Sequence, residues 1–234
     1  VALSANQILA NLQPEEIRRL RDNLEPITLA RRSTLFEAGA KLKYLYFPTS
    51  GIVSLVHTMS DGASVEVAIA GNEGMLGVCS LFGLNTSTQR AVVRHAGHGY
   101  RIKAEVLQRE FDRNGQFHWL VLRYGTSLIA EITQAVACNR HHSLDQQLCR
   151  WLLMSLDRLP SNQLTATQEL IANMLGVRRQ GVTEAARSLQ EAGLIRNARG
   201  RISVLSRDQL EARACECYAS MKALRSRLNI ARTT

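Results

Sequence analysis

The sequence predicts an α+β protein in three parts: a β-rich N-terminal half folded as a sandwich or barrel, one long helix, and a helical C-terminal domain closed by a hairpin. Three observations predict it. From about residue 28 to 103, short β-branched and aromatic runs alternate with turn residues, the spacing of an all-β layer. From 117 to about 138 the chain has no Pro and a single Gly, Gly125, with apolar residues near helical period. Charge is concentrated late: residues 1–139 hold 14 basic and 12 acidic side chains, residues 140–234 hold 15 and 8. That asymmetry predicts parts with separate jobs, bounded at 1–115, 116–140 and 141–234.

The elements follow in order. Pro14 opens a first helix, with Glu15 and Glu16 in its first turn, where acids complement the helix dipole. Strands are predicted around Tyr44-Leu45-Tyr46-Phe47, Ile52-Val53-Ser54-Leu55-Val56, Val65-Glu66-Val67-Ala68-Ile69 and Ala91-Val92-Val93. Pro48-Thr49-Ser50-Gly51, Ser60-Asp61-Gly62, Gly71-Asn72-Glu73-Gly74 and Ala96-Gly97-His98-Gly99 separate them. The long helix carries a stripe of Val121, Leu128, Ile132 and Val136 with Tyr124 and Ala135, which suits either a dimer seam or packing on its own domain. Polar Asn139-Arg140-His141-His142 reads as a hinge before a helix over 143–156. The basic end, from 225 to 234, reads as frayed.

Residues 164–205 carry the functional signal. Thr165 and Thr167 offer caps for a helix over 168–175, and Gly176 ends it. A second helix runs from near Arg178 to about Ala192, with Val182, Ala185, Ala186 and Leu189 facing inward. Two helices joined by a short Gly-containing turn have helix-turn-helix spacing. Arg178, Arg179 and Gln180 sit at the start of the second helix. Arg donates two bonds to guanine and Gln pairs with adenine in the major groove. Cations there oppose the helix dipole, and an anionic partner would compensate. Next, Leu194 to Leu205 reads as strand, basic turn, strand, with Arg199-Gly200-Arg201 at a tip suited to a phosphate backbone. The ordered set is a winged helix.

Composition bounds the rest. With 45% hydrophobic and 21% charged residues the chain can bury a core, and a net charge of +9 predicts an anionic partner. No apolar run approaches the ~20 residues of a membrane span, so no membrane partner is expected. Five Cys and no recognisable secretory signal predict a reducing, cytoplasmic location.

In this order the features resemble the Crp/Fnr family of bacterial transcription regulators. The resemblance is carried by Thr167-Gln168-Glu169-Leu170-Ile171-Ala172-Asn173-Met174-Leu175-Gly176-Val177-Arg178-Arg179-Gln180-Gly181-Val182, and the order of the other parts extends it over nearly the whole chain. It implies a cyclic-nucleotide-binding-type β-roll, a dimerisation helix, a homodimer on two-fold symmetric double-stranded DNA, and RNA polymerase as a further partner. By resemblance Arg179 matches the family's base-reading Arg, while Thr167 and Gln168 match positions that touch phosphate. Gln180 stands where members often carry Glu, and Glu184 where some carry a second base-contacting Arg. The expected DNA-binding set is Thr167, Gln168, Arg178, Arg179, Gln180, Thr183, Arg199 and Arg201.

The family's cyclic-AMP binders hold the ribose with a Gly-Glu pair and the phosphate with Arg-Ser or Arg-Thr. Here Gly77 keeps the Gly, Val78 replaces the Glu, and Gln89 and Arg90 occupy the phosphate pair. Valine accepts no hydrogen bond and Gln carries no charge. Strand alternation places Arg90 on the face opposite Gln89 and Ala91. Thr133 falls at the family's ligand-contacting hydroxyl, and serves equally as a helix-face Thr in a dimer seam. The candidate effector pocket is therefore Gly77, Val78, Gln89, Arg90 and Thr133. Cyclic AMP bound in the family's usual way is not expected, and another nucleotide, another small effector or none stay open.

No metal is expected either. The family's iron–sulfur members carry N-terminal Cys clusters, whereas the first Cys here is Cys79. Cys215 and Cys217 lack a second pair, and on a helix they would point to different sides. His95 and His98 lack the partners of a β-barrel metalloenzyme. His141 and His142 read as linker, and a haem-ligating His stays open. The competing readings are a small-molecule-binding module whose winged helix contacts protein, and a β-barrel enzyme. The enzyme would need an acid–base or nucleophile cluster, and no spacing supports one.

Overall fold

The structure, a computed structural model, describes residues 2–198 and 200–229. It opens with a 3-10 turn, Leu3–Ala5, then α1 (Gln7–Ala10) and α2 (Pro14–Arg21), followed by β1 (Glu25–Leu29), β2 (Thr34–Phe36), β3 (Tyr44–Pro48), β4 (Ile52–Thr58) and β5 (Ser64–Ala70). A 3-10 turn, Val78–Phe82, precedes β6 (Arg90–His95), β7 (Gly97–Lys103), α3 (Ala104–Phe111) and α4 (Gln116–His141). The C-terminal elements are α5 (Leu144–Leu156), β8 (Gln163–Thr165), α6 (Gln168–Leu175), α7 (Arg179–Glu191), β9 (Ile195–Ala198), β10 (Arg201–Val204), α8 (Arg207–Arg213) and α9 (Glu216–Asn229).

The β-rich region holds two sheets, ordered β1-β7-β3 and β2-β6-β4-β5, consistent with the predicted layer of short strands. Their apolar positions are mostly aliphatic, with Phe47 an aromatic exception: Leu45, Phe47 and Ile102 join Ile8, Leu9, Leu20, Val78, Phe117 and Val121 in one buried cluster. Each such side chain stabilises by about 1.5–3 kcal/mol relative to exposure.

Two buried polar residues order this unit. Asn6 is wholly buried. Its Nδ2 donates to the carbonyls of Pro48 and Gly74, both at 2.8 Å, and its Oδ1 accepts from the amides of Ile8 and Leu9 as the α1 cap. All four bonding positions of the amide are used. Asn6→Ala is expected to lower stability by about 2–3 kcal/mol, because an orphaned buried polar group costs about 1–3 kcal/mol and water relieves part of it. Urea unfolding with an unchanged slope would measure this. Glu16 is the second: Oε2 accepts from the Gln13 amide and Oε1 from the Phe117 amide at 2.9 Å, so one carboxylate caps both α2 and α4.

The structure extends the long helix. α4 continues to His141, so Asn139, Arg140 and His141 are helical rather than a hinge. Polarity without Gly or Pro does not break a helix. The break is confined to His142 and Ser143; the Ser143 hydroxyl accepts from the Gln146 amide as the cap of α5. Gly125 is explained by a close approach: a Cβ there would lie 2.6 Å from the Phe82 ring. Part of the basic end differs too, since α9 carries helix through Asn229 where fraying was expected from 225 on; 230–234 lie outside the described residues.

The chain divides into two compact units. One holds Ala68–Ile129 and the chain before Thr58, and the other holds Thr58–Val67 and Ala130–Ser226. In the second, α5 is the central helix, buried from Gln147 through Leu156. Its Trp151 Nε1 donates to Glu66 Oε1 at 2.9 Å. Among the described residues no helix is long and apolar enough to cross a membrane.

A candidate nucleic-acid interface on the winged helix

α6 and α7 form the helix-turn-helix because local chemistry dictates both ends of α6. The Thr167 hydroxyl accepts from the Leu170 amide at 3.1 Å. Gly176 takes φ +67°, the left-handed conformation that favours glycine, and closes the helix. α7 then buries Val182, Ala185, Ala186 and Leu189, the inward face expected from its spacing. Arg178 is the residue before the first turn of α7 rather than within it, in extended conformation with φ −72° and ψ 141°. With no side-chain cap of its own, the start of α7 leaves backbone N–H groups for an anion.

The opposite face of α7 is polar and solvent-facing. Arg178, Arg179, Gln180 and Thr183 are exposed, as is Thr167, and Gln168 is half-buried. Thr183 Oγ1 lies 2.8 Å from Gln168 Oε1, which ties the start of α6 to the first turn of α7. Gln180 Nε2 donates to Glu184 Oε1 at 3.0 Å, and Arg179 Nε lies 4.0 Å from Glu169 Oε2. Both acids are exposed neighbours. Such pairs contribute about 0–1 kcal/mol, so either side chain is released to a better partner at small cost.

The hairpin is held against this face by β8. β10 pairs with β9 and β8, with Arg201 opposite both Ala198 and Thr165. Gly200 at the turn approaches Thr167: a Cβ there would lie 3.6 Å from Thr167 Cγ2. Arg201 is exposed on β10. Arg199 lies outside the described residues. Seven of the eight predicted side chains are thus described, on α6, α7, the residues capping them and the hairpin. The assembled face offers guanidinium, amide and hydroxyl donors in one cluster, which suits base edges and phosphates together.

The predicted effector residues are placed differently. Gly77 precedes the 3-10 turn with φ +85°, and Val78 is buried in the main core cluster beside Phe117 and Val121. Ala91 and Val93 are fully buried while Arg90 is exposed, which is the alternation expected along β6. Arg90 Nε lies 3.4 Å from Glu37 Oε2, and its Nη2 donates to Thr34 Oγ1 at 3.3 Å. The Gln89 amide and carbonyl are held by the Ser87 hydroxyl. Thr133 belongs to the other unit and is exposed on α4. An open cavity of about 670 Å³ lies beside the 3-10 turn, lined by Lys41, Lys43, Lys103, Tyr44, Ser80 and Asn85. Sequence reasoning did not single out these lysines, which are split between the loop before β3 and the end of β7.

The cysteines are also placed unexpectedly. Cys215 precedes α9 in non-helical backbone and Cys217 lies in its first turn, so the two face one side. The premise that they share a helix is what failed. Together with Cys138 they form a buried cluster beside His142. Burial pushes the Cys138 thiol up to about 12, and Cys149, buried elsewhere on α5, likewise to about 12.

Comparison with known proteins fits this geometry. A model of the cyclic nucleotide-binding domain matches residues 26–114, and a model of the Crp-like helix-turn-helix domain matches residues 146–213. A CRP-like cAMP-activated global transcriptional regulator of Mycobacterium tuberculosis is 24% identical over 225 residues, covering 88% of this chain and 96% of the relative. Among solved structures, a Crp/Fnr-family regulator from Eubacterium rectale superposes with a TM-score of 0.71 at 18% identity, over 90% of this chain and 98% of that one. The c-di-GMP responsive global regulator CLP of Xanthomonas campestris gives 0.67 at 18% identity, over 83% and 100%. With both domain models matched in the order that the helix-turn-helix and the β-rich half occupy along it, the chain belongs to the Crp/Fnr family of DNA-binding transcription regulators.

Proposed function

We propose that the chain acts as a cytoplasmic homodimer that reads a two-fold symmetric DNA site. In this reading α7 enters the major groove and the β9–β10 hairpin follows the backbone. RNA polymerase is the partner at the promoter. The observation that carries the DNA-reading surface is the exposed cluster of Arg179, Gln180, Thr183 and Arg201 on α7 and the hairpin. Selection from random duplexes at low salt tests it. The expected result is two symmetric half-sites about 34 Å apart, one helical turn. Arg179→Ala should cost about 1–3 kcal/mol and relax one base position in each half-site. Arg201→Ala should weaken all sequences alike and lower the salt slope by about 1 for each lost phosphate contact. Selection no better than nonspecific binding, or an Arg179→Ala protein with unchanged preference, would count against the reading.

The β-rich half is proposed to respond to an effector other than cyclic AMP bound in the family's usual way. Val78 sits in the hydrophobic core and offers a ribose hydroxyl nothing, and Arg90 is exposed on the face of β6 opposite the buried Ala91 and Val93. Cyclic AMP is therefore expected to leave both the melting curve and the DNA affinity unchanged at concentrations that saturate the family's cyclic-AMP binders. A cyclic-AMP-dependent rise in the DNA affinity of the unaltered protein would contradict this.

A further inference from the structure

Cys138, His142, Cys215 and Cys217 come together where α4 ends and α8 passes into α9, and DNA reading uses none of them. Cys138 lies in the last turns of α4. His142 follows it by four residues, and its amide still bonds the Cys138 carbonyl at 3.0 Å, so both side chains share one face. Cys215 and Cys217 face them from the start of α9. The candidate ligand atoms of all four lie within 4.8 Å of one another. Cys138 Sγ is 3.5 Å from Cys215 Sγ, and Cys217 Sγ is 3.5 Å from His142 Nδ1.

Those distances match a small tetrahedral ion. Zinc bonds of about 2.3 Å to sulfur and about 2.0 Å to nitrogen give ligand–ligand edges of about 3.5–3.8 Å. Two edges already have that length, and no other needs to shorten by more than about 1 Å. An iron–sulfur cluster, whose cysteines bind separate irons, needs a wider set. Magnesium and calcium prefer oxygen ligands, and thiolate with imidazole selects a softer ion.

The surroundings are those of a metal site. His142 Nε2 lies 3.2 Å from Glu216 Oε1, a carboxylate that holds the ring by one nitrogen and leaves Nδ1 turned to the sulfurs. Gln134 Nε2 donates to Cys217 Sγ at 2.9 Å. Three thiolates around a divalent cation leave one net negative charge. Arg150, buried on α5 with an Nε–H that meets no acceptor, interacts electrostatically with Cys138 and would balance it. We propose that Cys138, His142, Cys215 and Cys217 form a mononuclear zinc site that staples the end of α4 to the α8–α9 turn. Four protein ligands close the coordination sphere, so the role is structural rather than catalytic.

The test is titration of the full-length reduced protein, freed of metal by chelator, with Co²⁺ and then Zn²⁺. One equivalent of Co²⁺ should produce intense tetrahedral visible bands and thiolate charge-transfer absorption, which one equivalent of Zn²⁺ bleaches. Zinc should also raise the melting temperature. Cys217→Ser should lose the charge-transfer intensity in part and bind at least about tenfold more weakly. Glu216→Gln should keep the spectrum and bind about 10–100-fold more weakly, the usual effect of removing a carboxylate behind a ligating His. Cys79→Ser, in the other unit, should match the parent. The wild-type titration stands even if a Cys variant does not fold. The proposal is overturned by cobalt spectra of octahedral type, by binding unaffected in Cys217→Ser, by an iron–sulfur chromophore on anaerobic isolation, or by a Cys138–Cys215 disulfide as the only change that metal and oxidant treatment produce.

Discussion

A protein with Ile129→Glu and Val136→Glu together is expected to sediment as a monomer and to lose tight DNA binding. α4 presents two different apolar lines. Phe117 and Val121 are buried in the core of the β-rich unit, with Leu128 packed beside them. Trp119, Ile129 and Val136 lie on another line and are 59%, 66% and 66% exposed. Positions 119, 126 and 133 form one seven-residue row, and 129 with 136 lies on a second three residues on, the a/d spacing by which two helices interlock. In the proposed homodimer, a second copy of α4 is the occupant that this repeat fits. Four introduced carboxylates, two per chain, would repel across such a seam. In the single chain both positions face solvent, so the fold should change by no more than about 0.5 kcal/mol. Separating the two reading heads removes the effective concentration that joins them, an affinity loss of about 10²–10⁴-fold. Analytical ultracentrifugation with a DNA titration measures both effects. A dimer that persists, or full affinity from a monomer, would remove α4 as the seam.

That second line marks where sequence reading ran short. Period alone placed Val121, Leu128 and Val136 on one stripe, and the structure separates Val136 from the other two. A 26-residue helix with neighbours on more than one side has more apolar positions than one face can hold, and only the surroundings sort them. The helix-turn-helix was legible because its signals are local: a Thr cap, a left-handed Gly, and four small or aliphatic residues at helical spacing. The hairpin was legible for the same reason. The overextended hinge shows the reverse case, since polar residues suit a loop and a helix equally until a cap such as Ser143 decides. The four-residue sulfur–imidazole cluster was not legible at all. Its members come from positions 138–142 and 215–217, and only tertiary contact joins them. The i,i+2 objection to Cys215 and Cys217 fell once Cys215 proved to precede the helix rather than belong to it.

Glu131→Ala is expected to destabilise the unit containing the winged helix by about 3–5 kcal/mol, the cost of leaving a buried ion without its partner. Glu131 Oε2 lies 3.6 Å from Arg158 Nη2 and 3.7 Å from Arg225 Nη2. Arg225 Nη1 in turn lies 3.6 Å from Asp157 Oδ2, and Arg207 binds both Asp157 and the Tyr218 hydroxyl. The Arg158 side chain is 3% exposed and that of Glu131 10%, so water screens this pair little. Through it α4 is fastened to the end of α5 and to α9, which explains why the chain near 225 is ordered helix despite its basic composition. The unfolding transition of this unit should fall by roughly 10 °C, taking about 2–4 °C per kcal/mol for a chain of this size. Removing the charge and its partner together separates two causes. If the loss is that of an uncompensated guanidinium, Glu131→Met with Arg158→Met should recover most of it, because an apolar pair of similar volume replaces a buried ion pair at little cost. If the single change costs under about 1 kcal/mol, or the double change is worse than either single, the network is not what holds α4 here, and packing alone would have to account for the order of α9.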